Sequence, residues 1–386
     1  MVYKVSVVGG AGHIGLPLSC YISSHGHQVS IIDSNKNVID NLQNNKLPFE
    51  EVNLDKYWKS AVKNDIYLTT ELDNIFKSDF IIITLGSSSE IKDVNLFDNL
   101  MDQIISIASF GTKIILRSTI NFETIEKIES NDTFIKNELK IAYCPERIAE
   151  GLSLKELPEM PQIIGTSDEE DYQTFSDFFE SFNVKSIQTS IQNAVFLKLF
   201  TNTYRYAEFS LVNEFYNIAK NNNINFDEIM DIAKIDYPRL KNIPSRGFVG
   251  GPCLIKDTKT FIKEYGEGSK VLSSIQNTNS IYFENILDEC KKIFVGNEII
   301  QLGLAFKPSS DDIRASLSLD FYNYLIDNGF KVYPVDRYVN QEDLDFQIYD
   351  YDAVKLKTDN ILISTFHEYF NEIDFNQKRV VTVGNN

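Results

Sequence analysis

The chain has 386 residues, 43% of them hydrophobic and 24% charged; at roughly 150 residues per domain that suggests about two or three domains and excludes a miniprotein. Fifty-five acidic residues against 37 basic ones leave a net charge of −18, a field that repels polyanions and argues against nucleic acid as a partner. No apolar run approaches the roughly 18 residues that span a bilayer, four histidines are too few for a multi-histidine metal centre, and four scattered cysteines without a CxxC pair fit neither a zinc ribbon nor a disulfide framework.

The N-terminus, MVYKVSVVGG, enters a strand pattern without the basic region, apolar core and cleavage site of a signal peptide, so a cytoplasmic protein is expected. KVSVVGG, a helix over about 15–25 and QVSIIDSN make a βαβ unit. Apolar runs at 80–85, 113–116, 140–143 and 162–165 continue the alternation and predict a doubly wound, mainly parallel sheet. From 192 to 219 the chain has neither Pro nor Gly and reads as one long helix. Helical zones at 226–234 and 271–294 follow, separated by the breaker-rich loop YPRLKNIPSRGFVGGPC. NEIIQLGLAF, a helix at about 319–328, KVYPVD, NILIST and RVVTV then form a second α/β alternation. The expected fold is α/β: two doubly wound domains, 1–188 and 295–386, joined by a helical domain with a long helix at 189–294.

Gly10-Ala11-Gly12-His13-Ile14-Gly15 is G-x-G-x-x-G between a strand and a helix, the context in which that spacing binds a dinucleotide. Gly10 permits the tight turn, Gly12 a close approach of backbone N–H groups to a pyrophosphate, and Gly15 close packing of helix on strand. The helix N-terminus favours the anion. Asp33 ends the second strand, where a carboxylate binds the ribose hydroxyls and repels a 2′-phosphate, which favours NAD over NADP.

Cys253 sits in Gly250-Gly251-Pro252-Cys253-Leu254-Ile255-Lys256-Asp257. A single cysteine is more often a small buried hydrophobe than a nucleophile, but the polar, glycine-rich setting, with Lys256 and Asp257 close by, points to a reactive thiol. Cys20 and Cys290 lie on helical patterns and Cys144 at a strand end; all three read as structural. On the long helix Lys198 and Asn202 are four apart and share a face, with Arg205 and Tyr206 on nearby turns. A lone lysine there would be a surface residue; its pairing with Asn202 makes a site plausible.

Six blocks in order, GGAGHIGLPLS with Asp33, RSTI, CPERIAEG, KLFTNTYRYAEFSLVNE, GFVGGPCLIKD and LGLAFKPSSDDIRAS, resemble the UDP-glucose/GDP-mannose dehydrogenase family over nearly the whole chain. The resemblance implies two Rossmann-like domains, for NAD and for the UDP part of a UDP-sugar, around a helical dimerisation domain. It implies Cys253 as the catalytic thiol with Lys198, Asn202 and Asp257 as its polar partners, Glu146 as the acid/base glutamate, and Thr119 as the residue that helps position the reactive carbon and a water. Gly10, Gly12, His13, Ile14, Gly15, Asp33, Ser87 and Thr119 would hold NAD. Glu146, Arg147, Glu150, Lys198, Asn202, Gly250, Lys307 and Arg314 would hold the sugar nucleotide, and Arg239 would reach the neighbouring subunit of a homodimer.

The implied reaction is a four-electron oxidation of the sugar C6 alcohol to a carboxylate through a cysteine thiohemiacetal and thioester. CPERIAEG, NTYRYAEFSLVNE and YPRLKN look more like the branch acting on UDP-N-acetylmannosamine, with UDP-N-acetylglucosamine and UDP-glucose as alternatives. A sugar-nucleotide or NAD sensor on the same scaffold, and a two-electron 2-hydroxyacid-type dehydrogenase, are the readings from other classes; the Cys253 block and the second α/β domain count against the latter. Val195 stands where an acid is common, and Ser87-Ser88-Ser89 where Thr-Pro is common.

Overall fold

The computed structural model describes residues 1–86, 91–149, 151–275 and 277–384, with residues 91–95 described by backbone alone. Ser87 and Glu150, both expected to touch ligands, lie outside the described residues. The chain divides into two compact units, Met1–Lys198 and Leu199–Asn386.

The first unit is built on eight strands: β1 (Lys4–Val8), β2 (Gln28–Ile32), β3 (Tyr67–Thr69), β4 (Phe80–Ile83), β5 (Lys113–Leu116), β6 (Lys140–Tyr143), β7 (Gln162–Gly165) and β8 (Ser186–Thr189). Their order is β3-β2-β1-β4-β5-β6-β7-β8. All pairs are parallel except β6 with β7, which meet antiparallel at Tyr143 and Gly165. Every residue of the central strand β4 is buried, as expected of a parallel strand covered on both faces. One face packs under Leu16, Cys20, Phe175, Phe178 and Phe182, the other under Met101, Ile104, Ile125 and Ala194. The order reverses between β1 and β4, so β1 delivers its following loop to the switch point where doubly wound sheets bind ligands.

The second unit holds β9 (Glu298–Leu302), β10 (Lys331–Val335), β11 (Asn360–Ile363) and β12 (Arg379–Thr382), all parallel in the order β10-β9-β11-β12. Tyr282, Ile286, Phe321 and Leu325 cover one face, Val354 and Phe370 the other.

The long helix runs from Ile191 to Asn221, one residue earlier and two later than expected. The helical zone expected at 271–294 is two helices, Lys270–Ile275 and Thr278–Ile293. The correction has a local cause: the Ser- and Asn-rich stretch between Leu272 and Ser280 offers side-chain hydrogen bonds that compete with helix. Ser273 and Ser274 donate back to the carbonyls of Ser269 and Lys270 at 2.6 and 2.8 Å.

Candidate active site

In the first unit the loop after β1 closes tightly. The positive φ belongs to Gly9, at +76°, and not to Gly10, where the sequence placed the turn. Gly10 is glycine for a different reason: a Cβ there would lie 2.6 Å from the Val7 carbonyl oxygen. At Gly15 a Cβ would meet the Gly10 Cα and Gly9 oxygen at 2.6 Å, so this glycine lets the helix Gly15–Ser24 settle on the strand. Gly12 is exposed, and a Cβ there would come no closer than 3.6 Å to any neighbour, leaving backbone open to a ligand. No side chain caps the helix at Ile14. His13 stacks on Phe49 with ring centroids 4.0 Å apart.

Asp33 is half-buried at the end of β2, its Oδ2 accepting from the Ala11 N–H at 3.2 Å and its Oδ1 from the Asn35 N–H at 3.0 Å. Two oxygens with one protein donor each retain lone pairs for ribose hydroxyls. An exposed glycine, an uncapped helix start and an oriented carboxylate fit a dinucleotide.

At the ends of β5 and β6 lie Ser118, whose hydroxyl donates to the Leu85 carbonyl at 2.8 Å, half-buried Thr119 and Glu146. Glu146 is buried and fully engaged: Oε1 accepts the N–H groups of Arg147 and Ile148, both at 2.8 Å, and Oε2 accepts from Arg117 Nη2. Burial pushes this carboxyl up, but the Arg117 guanidinium, the Ile148 N–H and the nearby Lys198 outweigh it and hold it below the usual carboxylate range. Lys198 is buried, 8% exposed. Val195 is buried in the apolar core beside Ala194.

In the second unit Cys253 occupies the position before the helix Leu254–Tyr265, with φ −99° and ψ −51°. A thiol at a helix N-terminus is favoured as thiolate by the partial positive charge there. It is exposed, whereas Cys20, Cys144 and Cys290 are buried and burial pushes each of those thiols up to about 12. One turn into the helix, Asp257 is buried and accepts from Asn202 Nδ2 at 2.6 Å. The loop before Cys253 is braced against the loop after β9: Gly251 N–H donates to the Ala315 carbonyl at 2.9 Å, and a Cβ on Gly251 would strike the Phe306 ring at 2.7 Å. A Cβ on Gly250 would lie 3.0 Å from the same carbonyl oxygen.

Lys307 sits 5.2 Å from the Phe306 ring centre. Arg314 holds the Asp312 carboxylate through Nε at 2.9 Å and Nη2 at 2.5 Å. Arg239 is exposed, stacked on Tyr237 at 5.6 Å, and lines a cavity of about 630 Å³ with Tyr204, Leu211 and Phe215 of the long helix.

The loops after β9 and β11 pack closely on one another. A Cβ on Gly303 would lie 2.0 Å from the Thr365 oxygen. Asp336, placed at the end of β10 as Asp33 is at the end of β2, accepts from the N–H groups of Leu304 and Ala305 at 2.8 and 3.3 Å and from buried His367 at 3.0 Å. Its Oδ1 accepts from the Tyr338 N–H at 3.0 Å, and unlike half-buried Asp33 the residue is only 3% exposed. Arg117, Gln162, Phe306, Ala315 and His367 escaped the sequence reading; the RSTI block contained Arg117, but its partners lie far along the chain.

Family models match three consecutive segments: the NAD binding domain of the UDP-glucose/GDP-mannose dehydrogenase family over residues 3–183, its central domain over 192–281, and its UDP binding domain over 301–384. The chain belongs to the UDP-glucose/GDP-mannose dehydrogenase family. It is an NAD-dependent nucleotide sugar dehydrogenase, with the glycine loop and Asp33 inside the NAD binding segment. The chain is 28% identical over 382 residues to the UDP-N-acetyl-D-mannosamine dehydrogenase of Methanococcus maripaludis, covering 96% of this chain and 87% of that one. The Campylobacter jejuni enzyme of the same name is 26% identical, covering 89% of each chain. Among solved structures, UDP-D-ManNAc dehydrogenase from Pyrococcus horikoshii is similar in fold, with a TM-score of 0.87 at 24% identity over 98% of this chain and 93% of that one. The UDP-N-acetyl-mannosamine dehydrogenase Cap5O of Staphylococcus aureus has a TM-score of 0.80 at 29% identity over 98% and 92%.

Proposed function

We propose that this dehydrogenase oxidises the C6 alcohol of UDP-N-acetylmannosamine to the carboxylate, with Cys253 as the covalent nucleophile. The observation that carries the mechanism is the state of the four cysteines: one exposed thiol at a helix start, three buried and pushed up to about 12. Two molecules of NAD+ per turnover, bound in succession at the glycine loop and Asp33, would supply the hydride acceptor for the two oxidations. After the first oxidation the Cys253 thiolate adds to the C6 aldehyde, forming the C–S bond of a thiohemiacetal. Loss of the second hydride from that carbon leaves a thioester, and water then displaces the thiol and gives the carboxylate.

Lys198 and Asn202 are the donors available to the oxyanion that forms at C6. Asp257, tied to Asn202, and Glu146 are the carboxylates available to take a proton from water. Thr119, at the end of β5, positions the reacting carbon. Arg147, Gly250, Lys307 and Arg314 hold the sugar nucleotide, with Arg314 exchanging Asp312 for the diphosphate. His13 and Ile14 join the glycines at the NAD pyrophosphate. Three functional segments, 1–188, 189–294 and 295–386, follow from this division of work.

The working unit is a homodimer in the cytoplasm. Phe200, Tyr204, Leu211, Phe215 and Ile218 are each about half exposed along the long helix, at 47%, 55%, 52%, 49% and 51%, a stripe that a second copy of the same helix would cover. Among the described residues no helix is long and apolar enough to cross a membrane. The substrate preference rests on the likeness to the two curated dehydrogenases above; UDP-N-acetylglucosamine and UDP-glucose are the competing substrates. Product mass spectrometry on the three UDP-sugars tests the choice, and Cys253→Ala tests the thiol: the variant should fold and bind NAD yet form no uronate. A Cys253→Ala enzyme that still makes uronate would remove the thioester route.

A further inference from the structure

Cys253 is reached along a segment, 246–251, that belongs to no strand or helix, yet its backbone is pinned at every second residue. Asn213, on the long helix and fully buried, meets Gly247 with its whole amide. Its Nδ2 donates to the Gly247 carbonyl at 2.7 Å, and its Oδ1 accepts from the Gly247 N–H at 2.9 Å. Asn279, in the helix Thr278–Ile293, donates from Nδ2 to the Val249 carbonyl at 3.2 Å and to the Tyr206 hydroxyl at 3.0 Å. The Gly251 N–H closes the series on the Ala315 carbonyl. Residues 247, 249 and 251 are thus held at the spacing at which a neighbouring strand would hold them.

The entry to the segment is fixed as firmly. Arg246, 7% exposed, donates through Nε and Nη2 to the two carboxylate oxygens of Asp227 at 2.9 and 3.1 Å, and through Nη1 to the carbonyls of Thr382 and Val383, both at 2.8 Å. Between the pinned residues Phe248 packs its ring on Phe283 and Phe321, 4.8 and 5.2 Å from centre to centre. All of these groups belong to the unit Leu199–Asn386. A buried asparagine costs more than an apolar residue of its size unless its amide is paired. What Asn213 gains for that cost is the backbone of one loop residue, on the segment that ends at Cys253.

We propose that Asn213 and Asn279 are positioning residues for Cys253. Their amides stand in for a missing strand, hold the approach to the thiol in one register and so present it at the start of the helix Leu254–Tyr265 before any substrate arrives. A nucleophile fixed in advance needs no ordering at the moment of attack, and a displacement of about 1 Å is enough to cost roughly a hundredfold in rate. The inference deepens the dehydrogenase reading and rests on it for the effect on turnover; the effect on the thiol stands independently of any substrate.

The test uses Asn213→Ala and Asn279→Ala in the full-length enzyme, with Val354→Ala as a control that opens a cavity on the other face of the β9–β12 sheet. The first readout needs no turnover: the rate constant of Cys253 with an aromatic disulfide reagent near neutral pH, under conditions where a urea titration shows each variant folded. A thiol displaced from the helix start loses thiolate character, so both asparagine variants should react more slowly by roughly threefold or more, and Val354→Ala at the wild-type rate. The second readout is turnover at saturating NAD+. Loss of position without loss of sugar binding should lower kcat of Asn213→Ala by about tenfold or more, with KM for the UDP-sugar changing less than about threefold. Asn279→Ala, which gives up one carbonyl partner where Asn213→Ala gives up both groups of a residue, should fall less, and Val354→Ala should keep the wild-type kcat.

A folded Asn213→Ala or Asn279→Ala whose thiol reacts at the wild-type rate or faster would overturn the proposal, as would an equal slowing in Val354→Ala. Should Asn213→Ala not fold, Asn279→Ala decides by the same two readouts. If the wild type turns over no UDP-sugar, the dehydrogenase reading fails, and the thiol rates still decide whether the two asparagines position Cys253.

Discussion

Replacing Gly251 by alanine should damage the Cys253 loop through one identifiable contact. Gly251 has φ +93°, a region that side chains rarely adopt, and a Cβ would lie 2.7 and 2.9 Å from Phe306 Cδ2 and Cε2. The backbone term is on the order of 1–3 kcal/mol, and the overpacked contact adds about 1–3 kcal/mol. Phe306 is half-buried and its ring can yield part of the way, so a total of about 2–4 kcal/mol is expected, at roughly 2–4 °C of Tm per kcal/mol. Because Gly251 N–H is also the donor to Ala315, the shift reaches Cys253 two residues on. An aromatic disulfide reagent reads that thiol selectively in the folded enzyme, since the other three cysteines are buried; the reaction of Gly251→Ala should be slower as Cys253 leaves its helix-start position. A double-mutant cycle with Phe306→Ala isolates the contact, with an expected coupling of about 1–2 kcal/mol. Equal cost of Gly251→Ala in both backgrounds would refute the steric argument, and wild-type stability with unchanged thiol reactivity would refute the brace altogether.

Three further outcomes are expected. Asp33→Ala should weaken NAD binding and narrow its preference over NADP, read by titration of each cofactor; unaltered selectivity would mean that Asp33 does not face the ribose. His367→Ala should cost about 1–3 kcal/mol by removing one hydrogen bond from the buried Asp336 carboxylate. Burial pushes Asp336 up, but His367 and the N–H groups of Leu304 and Tyr338 bring it below the ordinary range. Its contribution is thus complete above its unfolded pKa of about 3.9 and is lost as pH falls through the lower folded value; loss of His367 should move acid unfolding to higher pH. Light scattering should find a dimer, and Phe215→Glu, on the exposed stripe of the long helix, should shift it towards monomer; an unchanged mass for that variant would place the interface elsewhere.

The parts legible in the sequence were those whose chemistry is local. The G-x-G-x-x-G loop and Asp33 announce a dinucleotide because a strand, a turn, a helix start and a second strand end are all set by near neighbours, although the positive φ fell on Gly9 and not on Gly10. The long helix was legible from the absence of breakers. The edge strand β8 was not, because its four residues are all half-buried or exposed and carry no apolar run. Contacts between distant segments were equally hidden. Arg117 meets Glu146 and Gln162 across 29 and 45 residues, and Asp336 meets His367 across 31; no spacing rule encodes such pairs. Phe306 looked like part of an apolar run until its ring was found against Gly251.

The central claim is that one active thiol carries a UDP-sugar through two successive oxidations. NADH released per sugar consumed, followed by absorbance with mass spectrometry of the product, measures this most directly on UDP-N-acetylmannosamine, UDP-N-acetylglucosamine and UDP-glucose. The account predicts two NADH and one uronate per molecule of UDP-N-acetylmannosamine. One NADH with an aldehyde product would contradict it, because the thiohemiacetal step and the need for Cys253 would both be gone.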